Sequence, residues 1–246
     1  MKTLAVYLVC EPETPELARA AVEGGADIVE IGVPYSDPGI DGPVIQQAVD
    51  VAVRAGVGMR DVLRAVEAVA AAGAVPVVMS YWNPIERYGV DRFADDLLAA
   101  GGAGAITPDL IPDEAGPWIA ASDRTGLDRV FLVAPSSTDA RIAMTTAACR
   151  GFVYATAVMG VTGARESTSD LAAPLVARAR STTDLPVAVG LGVGNGRQAA
   201  AVAAYADGVI VGSAFVRTLL DHPDDRAAGL RALTALTEDL AGGVRA

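Results

Sequence analysis

Eight short apolar runs punctuate the sequence: LAVYLV (4–9), DIVEI (27–31), VPVVM (75–79), AGAIT (103–107), RVFLV (129–133), FVYAT (152–156), PVAVG (186–190) and DGVIV (207–211). Each is close to continuously apolar, the pattern of parallel strands buried on both faces. Between them, ELARAAVEGG, MRDVLRAVEAVAAAG, VDRFADDLLAAGG and TDARIAMTTAACR carry apolar residues at helical spacing with charges on the opposite side. Several end in Gly-Gly or Ala-Gly, which suits a helix C-terminus. Eight strand–helix units in 246 residues fit a (β/α)8 TIM barrel, with residues 1–246 as one domain. The alternative is an open doubly wound sheet. An additional periodic segment, PVIQQAVDVAVRAG (43–56), enlarges the second strand-to-helix loop and gives it a helix of its own.

Composition narrows the chemistry. The net charge of -11 disfavours nucleic acid and anionic membranes as partners. No run approaches the length of a membrane span. The opening MKTLAVYLVCEPE is too short in its apolar part for an export signal and reads as the first strand. Cys10 and Cys149 show no metal spacing, which fits a reducing cytoplasm. The single histidine, His222, falls in LLDHPDD, expected as a solvated turn between two C-terminal helices. A His-based triad or metal site is therefore disfavoured. Lys2 is the only lysine, which argues against a Schiff-base aldolase. Acid–base work falls to carboxylates.

Those carboxylates concentrate in EIGVPYSDPGIDGP (30–43). Catalytic groups of barrels come from strand C-termini and the loops behind them. Strand alternation puts Glu30 on one face with Ile28, and Val29 with Ile31 on the other. At the top of a barrel strand Glu30 can point into the mouth, where partial burial raises its pKa toward neutrality. The plainer reading is a strand-end acid facing solvent or an arginine. Asp41 lies 11 residues on, held by Gly39, Gly42 and Pro43. It is either the second member of a carboxylate pair or the organiser of the helix start at VIQQAV. Asp37, before Pro38, reads as a loop-shaping residue.

The last third carries GVTGAR (160–165), GLGVGNG (190–196) and VGSAF (211–215), each behind an apolar run. Barrels commonly hold a phosphate after the seventh and eighth strands, at a helix start. Gly192 fits the seventh loop, Gly212 and Ser213 the eighth, and Gly163 the sixth. The alternative is simple tight turns. GLGVGNG does not satisfy a dinucleotide fingerprint, because no acidic ribose ligand follows it.

EIGVPYSDPGIDGPVIQ, PVVMSYWNPIERYG, ITPDLIPDE, GFVYATAVMGVTGAR, PVAVGLGVGN and ADGVIVGSAFV occur in this order over almost the whole chain. Together they resemble the tryptophan synthase alpha subunit family. The resemblance implies a (β/α)8 barrel that cleaves indole-3-glycerol phosphate to indole and glyceraldehyde 3-phosphate, without metal or organic cofactor. It implies catalytic roles for Glu30 and Asp41. It places Gly163, Gly192, Gly212 and Ser213 at the phosphate, Tyr81 and Asn83 beside the indole, and Thr162 on a mobile sixth loop. It also implies a beta subunit as partner, and hence a place in tryptophan biosynthesis.

Four departures from the family pattern qualify these implications. The first strand begins almost at Met1, where the family has an extra helix beneath the barrel, so either lower stability or an apolar patch for a partner is expected there. The family's GDP appears as CEP (10–12), which puts Glu11 in place of an aspartate, and its PLAD appears as PGID (38–41). The sixth loop reads ATAVMG where the family is more polar. The partner-facing parts thus look altered while the carboxylate pair is kept. Two other readings remain: a stand-alone indole-releasing lyase of secondary metabolism, and a non-catalytic alpha-like barrel that binds a beta subunit or a phosphate metabolite. Other phosphate-sugar isomerases or aldolases are disfavoured by the scarcity of lysine and histidine.

Overall fold

The computed structural model describes residues 2–156, 171–190 and 192–246. All eight apolar runs are strands: β1 (Thr3–Val9), β2 (Ile28–Gly32), β3 (Val75–Met79), β4 (Gly104–Ile106), β5 (Asp128–Val130), β6 (Leu132–Val133), β7 (Val153–Thr156), β8 (Val187–Gly190) and β9 (Gly208–Val211). The run 129–133 supplies both β5 and β6, divided at Phe131. The order is β5-β4-β3-β2-β1-β9-β8-β7-β6, and every pairing is parallel. Its two ends are consecutive pieces of one strand, so the sheet closes on itself as an eight-stranded barrel. The open doubly wound alternative is thereby set aside.

The helices are α1 (Thr14–Glu23), α2 (Pro43–Arg54), α3 (Met59–Ala71), α4 (Trp82–Tyr88), α5 (Val90–Ala99), α6 (Gly116–Thr125), α7 (Asp139–Ala148), α8 (Ala172–Arg180), α9 (Gly196–Ala203), α10 (Ser213–Leu220) and α11 (Arg226–Arg245). α1 and α3 are each followed by a glycine at positive φ, Gly25 and Gly73, a conformation that side chains resist. The helical patterns at 43–56 and 59–73 are α2 and α3, so the second loop is enlarged by one helix as expected.

Strand alternation sorts the core. Val29 and Ile31 face outward with Leu4, Val6 and Leu8, against Leu17, Val62, Phe93 and Trp118 of the helix layer. Each such buried side chain contributes about 1.5–3 kcal/mol. The inward residues range from alanine to tyrosine. Ala5, Ala188 and Ile210 pack with Ile28, and Val77, Ile106 and Val130 with Met79 and Leu132. Gly104 has no room for a side chain, because a Cβ would strike the backbone of Asp128. At the strand N-termini an apolar hollow of about 180 Å³ is bordered by Ala5, Ile28, Val77 and Phe152, with Val75 exposed on its rim. His222 lies in the turn between α10 and α11 but is half-buried, its Nδ1 2.9 Å from the Thr218 carbonyl oxygen.

Candidate active site

A cavity of about 90 Å³ opens at the strand C-termini and gathers residues from seven strands and the loops behind them. Glu30 and Asp41 both line it. Glu30 is the third residue of β2, in register with Tyr7 of β1 and Val77 of β3. Its side chain points inward with Ile28 and is fully buried. Neither carboxyl oxygen has a hydrogen-bond partner among the described residues. An ionised carboxylate is strongly disfavoured in such a place, and burial alone pushes the Glu30 pKa up to about 8. Glu30 is thus a protonated acid near neutrality, not solvent-facing and not paired with any arginine among the described residues.

Asp41 arrives from the loop between β2 and α2. Gly42, not Asp41, is the N-cap residue of α2, so the Asp41 side chain is not used to start that helix. Its Oδ2 accepts a hydrogen bond from the Tyr81 hydroxyl at 2.8 Å. Its backbone oxygen accepts one from Gln46 Nε2, also at 2.8 Å. Burial raises the Asp41 pKa, and the Tyr81 hydroxyl holds it back. Tyr81 in turn accepts a bond from the Ile40 N–H at 3.0 Å and packs its ring on Tyr35 at 5.2 Å. The Asp41 loop is therefore tied from the start of α4, behind β3, as well as from α2. Asp37 is exposed and accepts a bond from Ser36 Oγ at 2.6 Å, a contact within the loop. Asn83 is exposed in the first turn of α4 and does not line the cavity.

Opposite the acids, Gly192, Gly212 and Ser213 line the same cavity. Gly212 is the N-cap residue of α10 and Ser213 its first residue. The free N–H groups of a helix start, bare of side chains at a glycine, suit an anion. No lysine or arginine is among the described lining residues, so an anion here would be held by backbone and hydroxyl donors. Thr162 and Gly163 lie outside the described residues. No group of three or more His, Cys, Asp or Glu among the described residues is arranged to hold a metal.

Sequence reading did not identify the apolar wall between these two ends. It is built from Ile45, Met79, Leu132, Val193 and Ile210, with the rings of Tyr7 and Tyr154. Ile45 belongs to α2, which also packs Val49 and Ala52 with Tyr7, Val9 and Val216. The extra helix therefore covers the mouth on the β1 side. Burial, with Glu30 and Asp41 nearby, raises the pKa of both Tyr7 and Tyr154. Both stay neutral hydroxyl donors. Gly190 makes room for Tyr154, since a Cβ there would strike the phenol. Strand parity could have exposed both tyrosines, because Tyr154 stands in register with Leu132 and Ala188, as Tyr7 does with Glu30. The whole fits a flat apolar ligand with an N–H at one edge and an anionic tail.

A profile of the tryptophan synthase alpha chain family matches residues 8–245. The chain is 65% identical over 227 residues to the tryptophan synthase alpha chain of Acidothermus cellulolyticus, covering 92% of this chain and 84% of that one. It is 62% identical over 234 residues to the one from Mycobacterium avium, covering 95% and 84%. Among solved structures, a Mycobacterium tuberculosis tryptophan synthase chain superposes with a TM-score of 0.93 at 56% identity, covering 100% of this chain and 93% of that one. The alpha chain from Legionella pneumophila subsp. pneumophila superposes at 0.87 with 29% identity, covering 99% and 92%.

Proposed function

The chain belongs to the tryptophan synthase alpha chain family, and from that premise we propose how its residues carry the reaction and with whom it works. The activity is that of a carbon–carbon lyase in tryptophan biosynthesis: retro-aldol cleavage of indole-3-glycerol phosphate to indole and glyceraldehyde 3-phosphate.

Glu30 is the acid and base of this step. Its protonated carboxyl delivers a proton to indole C3, which turns the ring into an indoleninium and weakens the bond to the glyceryl carbon. It then takes the proton of the adjacent glyceryl hydroxyl. That oxygen closes to an aldehyde as the carbon–carbon bond breaks, and the bonding electrons return to the ring as indole. Protons and charge balance with Glu30 regenerated. Asp41 accepts the indole N–H and stabilises the positive charge that develops there. Tyr81 orients Asp41. Gly192, Gly212 and Ser213 receive the phosphate at the α10 start, with Gly163 and Thr162 adding to that end, and Asn83 bordering the indole side from α4. The single observation that carries this reading is the buried Glu30 carboxyl, without a partner among the described residues, in one cavity with Asp41 and the α10 N-terminus.

The partner we propose is a tryptophan synthase beta subunit. Exposed apolar side chains on loops behind β2 and β4, Ile40 and Ile111, support such a contact. Residues 1–246 act as one barrel domain. No described helix is long and apolar enough to cross a membrane, and two buried free cysteines agree with a cytoplasmic setting. The test is indole release from indole-3-glycerol phosphate with and without an added beta subunit. Stimulation by the partner and co-elution with it support the assembly. Full activity alone with no co-elution favours the stand-alone lyase, and tight substrate binding without turnover favours the non-catalytic barrel.

A further inference from the structure

Tyr7 holds a place that the reaction above leaves unused. It sits directly across from Glu30 on the neighbouring strand. The next inward position of β2 beyond Glu30, two residues toward the mouth, is Gly32. A Cβ on Gly32 would strike the Tyr7 hydroxyl and the ring carbons beside it. The phenol therefore fills the space that a side chain at position 32 would occupy, one layer above the Glu30 carboxyl. On its other side the ring lies 3.4 Å from where a Gly212 Cβ would stand. The bare Gly32 leaves room for the ring, which crosses β1 from ordinary contact distance of the α10 start to the roof of Glu30. Ile45, Val49 and Ala52 of α2 belong to the same apolar cluster as the ring.

We infer that Tyr7 is the positioning residue of Glu30, its ring sealing the carboxyl from water and its hydroxyl donating to the carboxylate once the proton has left. The inference rests on the assignment of Glu30 as the acid. Glu30 has no partner of its own among the described residues, and the carboxylate formed after protonation of indole C3 needs a donor to remain in the barrel. The titratable groups that feel its charge are Tyr7 on β1 and Tyr154 on β7; Asp41 shares the cavity, with Tyr81 bonded to it. None of these described groups is a cation, so a neutral phenol is the donor they provide.

Two substitutions separate ring from hydroxyl. Tyr7→Phe keeps the seal and removes the donor. It is expected to lower kcat by about 10- to 100-fold with little change in KM, and to move the Glu30 limb of the pH–kcat profile upward by about one pH unit. Tyr7→Leu opens the seal, admits water and moves the same limb downward. Gly32→Ala displaces the phenol and should follow Tyr7→Leu. A purely structural role would lower stability in all three and leave the limb in place. Independently of turnover, the protonated carboxyl stretch in difference infrared spectra, assigned by its loss in Glu30→Gln, should titrate in the same opposite directions. Unchanged titration in both Tyr7 variants overturns the inference. If Glu30→Gln itself stays active, the assignment of Glu30 fails instead.

Discussion

Replacing Glu30 by glutamine removes a titration while keeping the side chain's size. Folded Glu30 titrates at about 8, against 4.5 as its ordinary value. Below pH 4.5 folded and unfolded chains both hold the proton. Through the window from 4.5 to about 8 the unfolded chain releases it and the folded chain does not. The folded state then binds more protons, so stability falls as pH rises, by up to about 1.4 kcal/mol per pH unit. Above about pH 8 the penalty is complete. Between pH 5 and pH 9 these values give the wild type a loss of about 4 kcal/mol that Glu30→Gln does not suffer. Movement of the carboxylate toward the mouth lowers this, so about 2–4 kcal/mol is the expected difference. Glutamine brings its own unpartnered amide, but that cost does not vary with pH, and every other titrating group is common to both proteins. Urea unfolding at pH 5, 7 and 9 reads the quantity directly. The variant should gain on the wild type steadily across the series. A difference that stays constant within about 0.5 kcal/mol would refute a dry, protonated Glu30.

Further expectations follow from the contacts around the site and in the core. Tyr81→Phe deletes the donor that holds the Asp41 pKa down. The acidic limb of kcat/KM should rise by about one pH unit, with a larger activity loss at pH 6 than at pH 8. Trp118 is fully buried against Phe93, and its indole nitrogen has no partner among the described residues. Trp118→Ala should therefore cost about 3–5 kcal/mol and Trp118→Phe less than half of that in denaturant unfolding. Asp225 caps α11 by accepting the Ala228 N–H at 2.9 Å. Asp225→Ala should cost about 1 kcal/mol, a fall of about 2–4 °C in the midpoint of a thermal scan.

Much of the barrel was legible because burial on both faces leaves a plain mark in sequence. Runs such as DIVEI and DGVIV have one charged residue or none after their first position, and each became a strand within one residue of its expected bounds. The division at Phe131 was not legible, since RVFLV is continuously apolar. α4 was missed because WNPIERY is short and carries a proline, which its position in the first helical turn tolerates. Glu30 stood out as an acid in an apolar run, and parity alone assigned its face. Asp41 was ambiguous because an aspartate before Gly-Pro and a helix serves a cap as readily as a site. The position of the α2 cap at Gly42 and the side chain's reach to Tyr81, 40 residues away, separate the two. Tyr7 and Tyr154 escaped notice because an aromatic residue in a strand reads as core. What marks them is the glycine each leans over, Gly32 and Gly190, and that pairing is a property of register.

The division of labour between the two carboxylates is the centre of the account. Its most direct measurement is single-turnover indole formation by wild type, Glu30→Gln and Asp41→Asn, alongside binding of a phosphate analogue that lacks the glyceryl hydroxyl. The account predicts that Glu30→Gln loses about 10³-fold or more in rate and binds the analogue as wild type does, because a proton carrier is gone and the cavity is not. It predicts that Asp41→Asn loses rate and also weakens the analogue, whose N–H it would hold. Glu30→Gln turning over within about tenfold of wild type would contradict it.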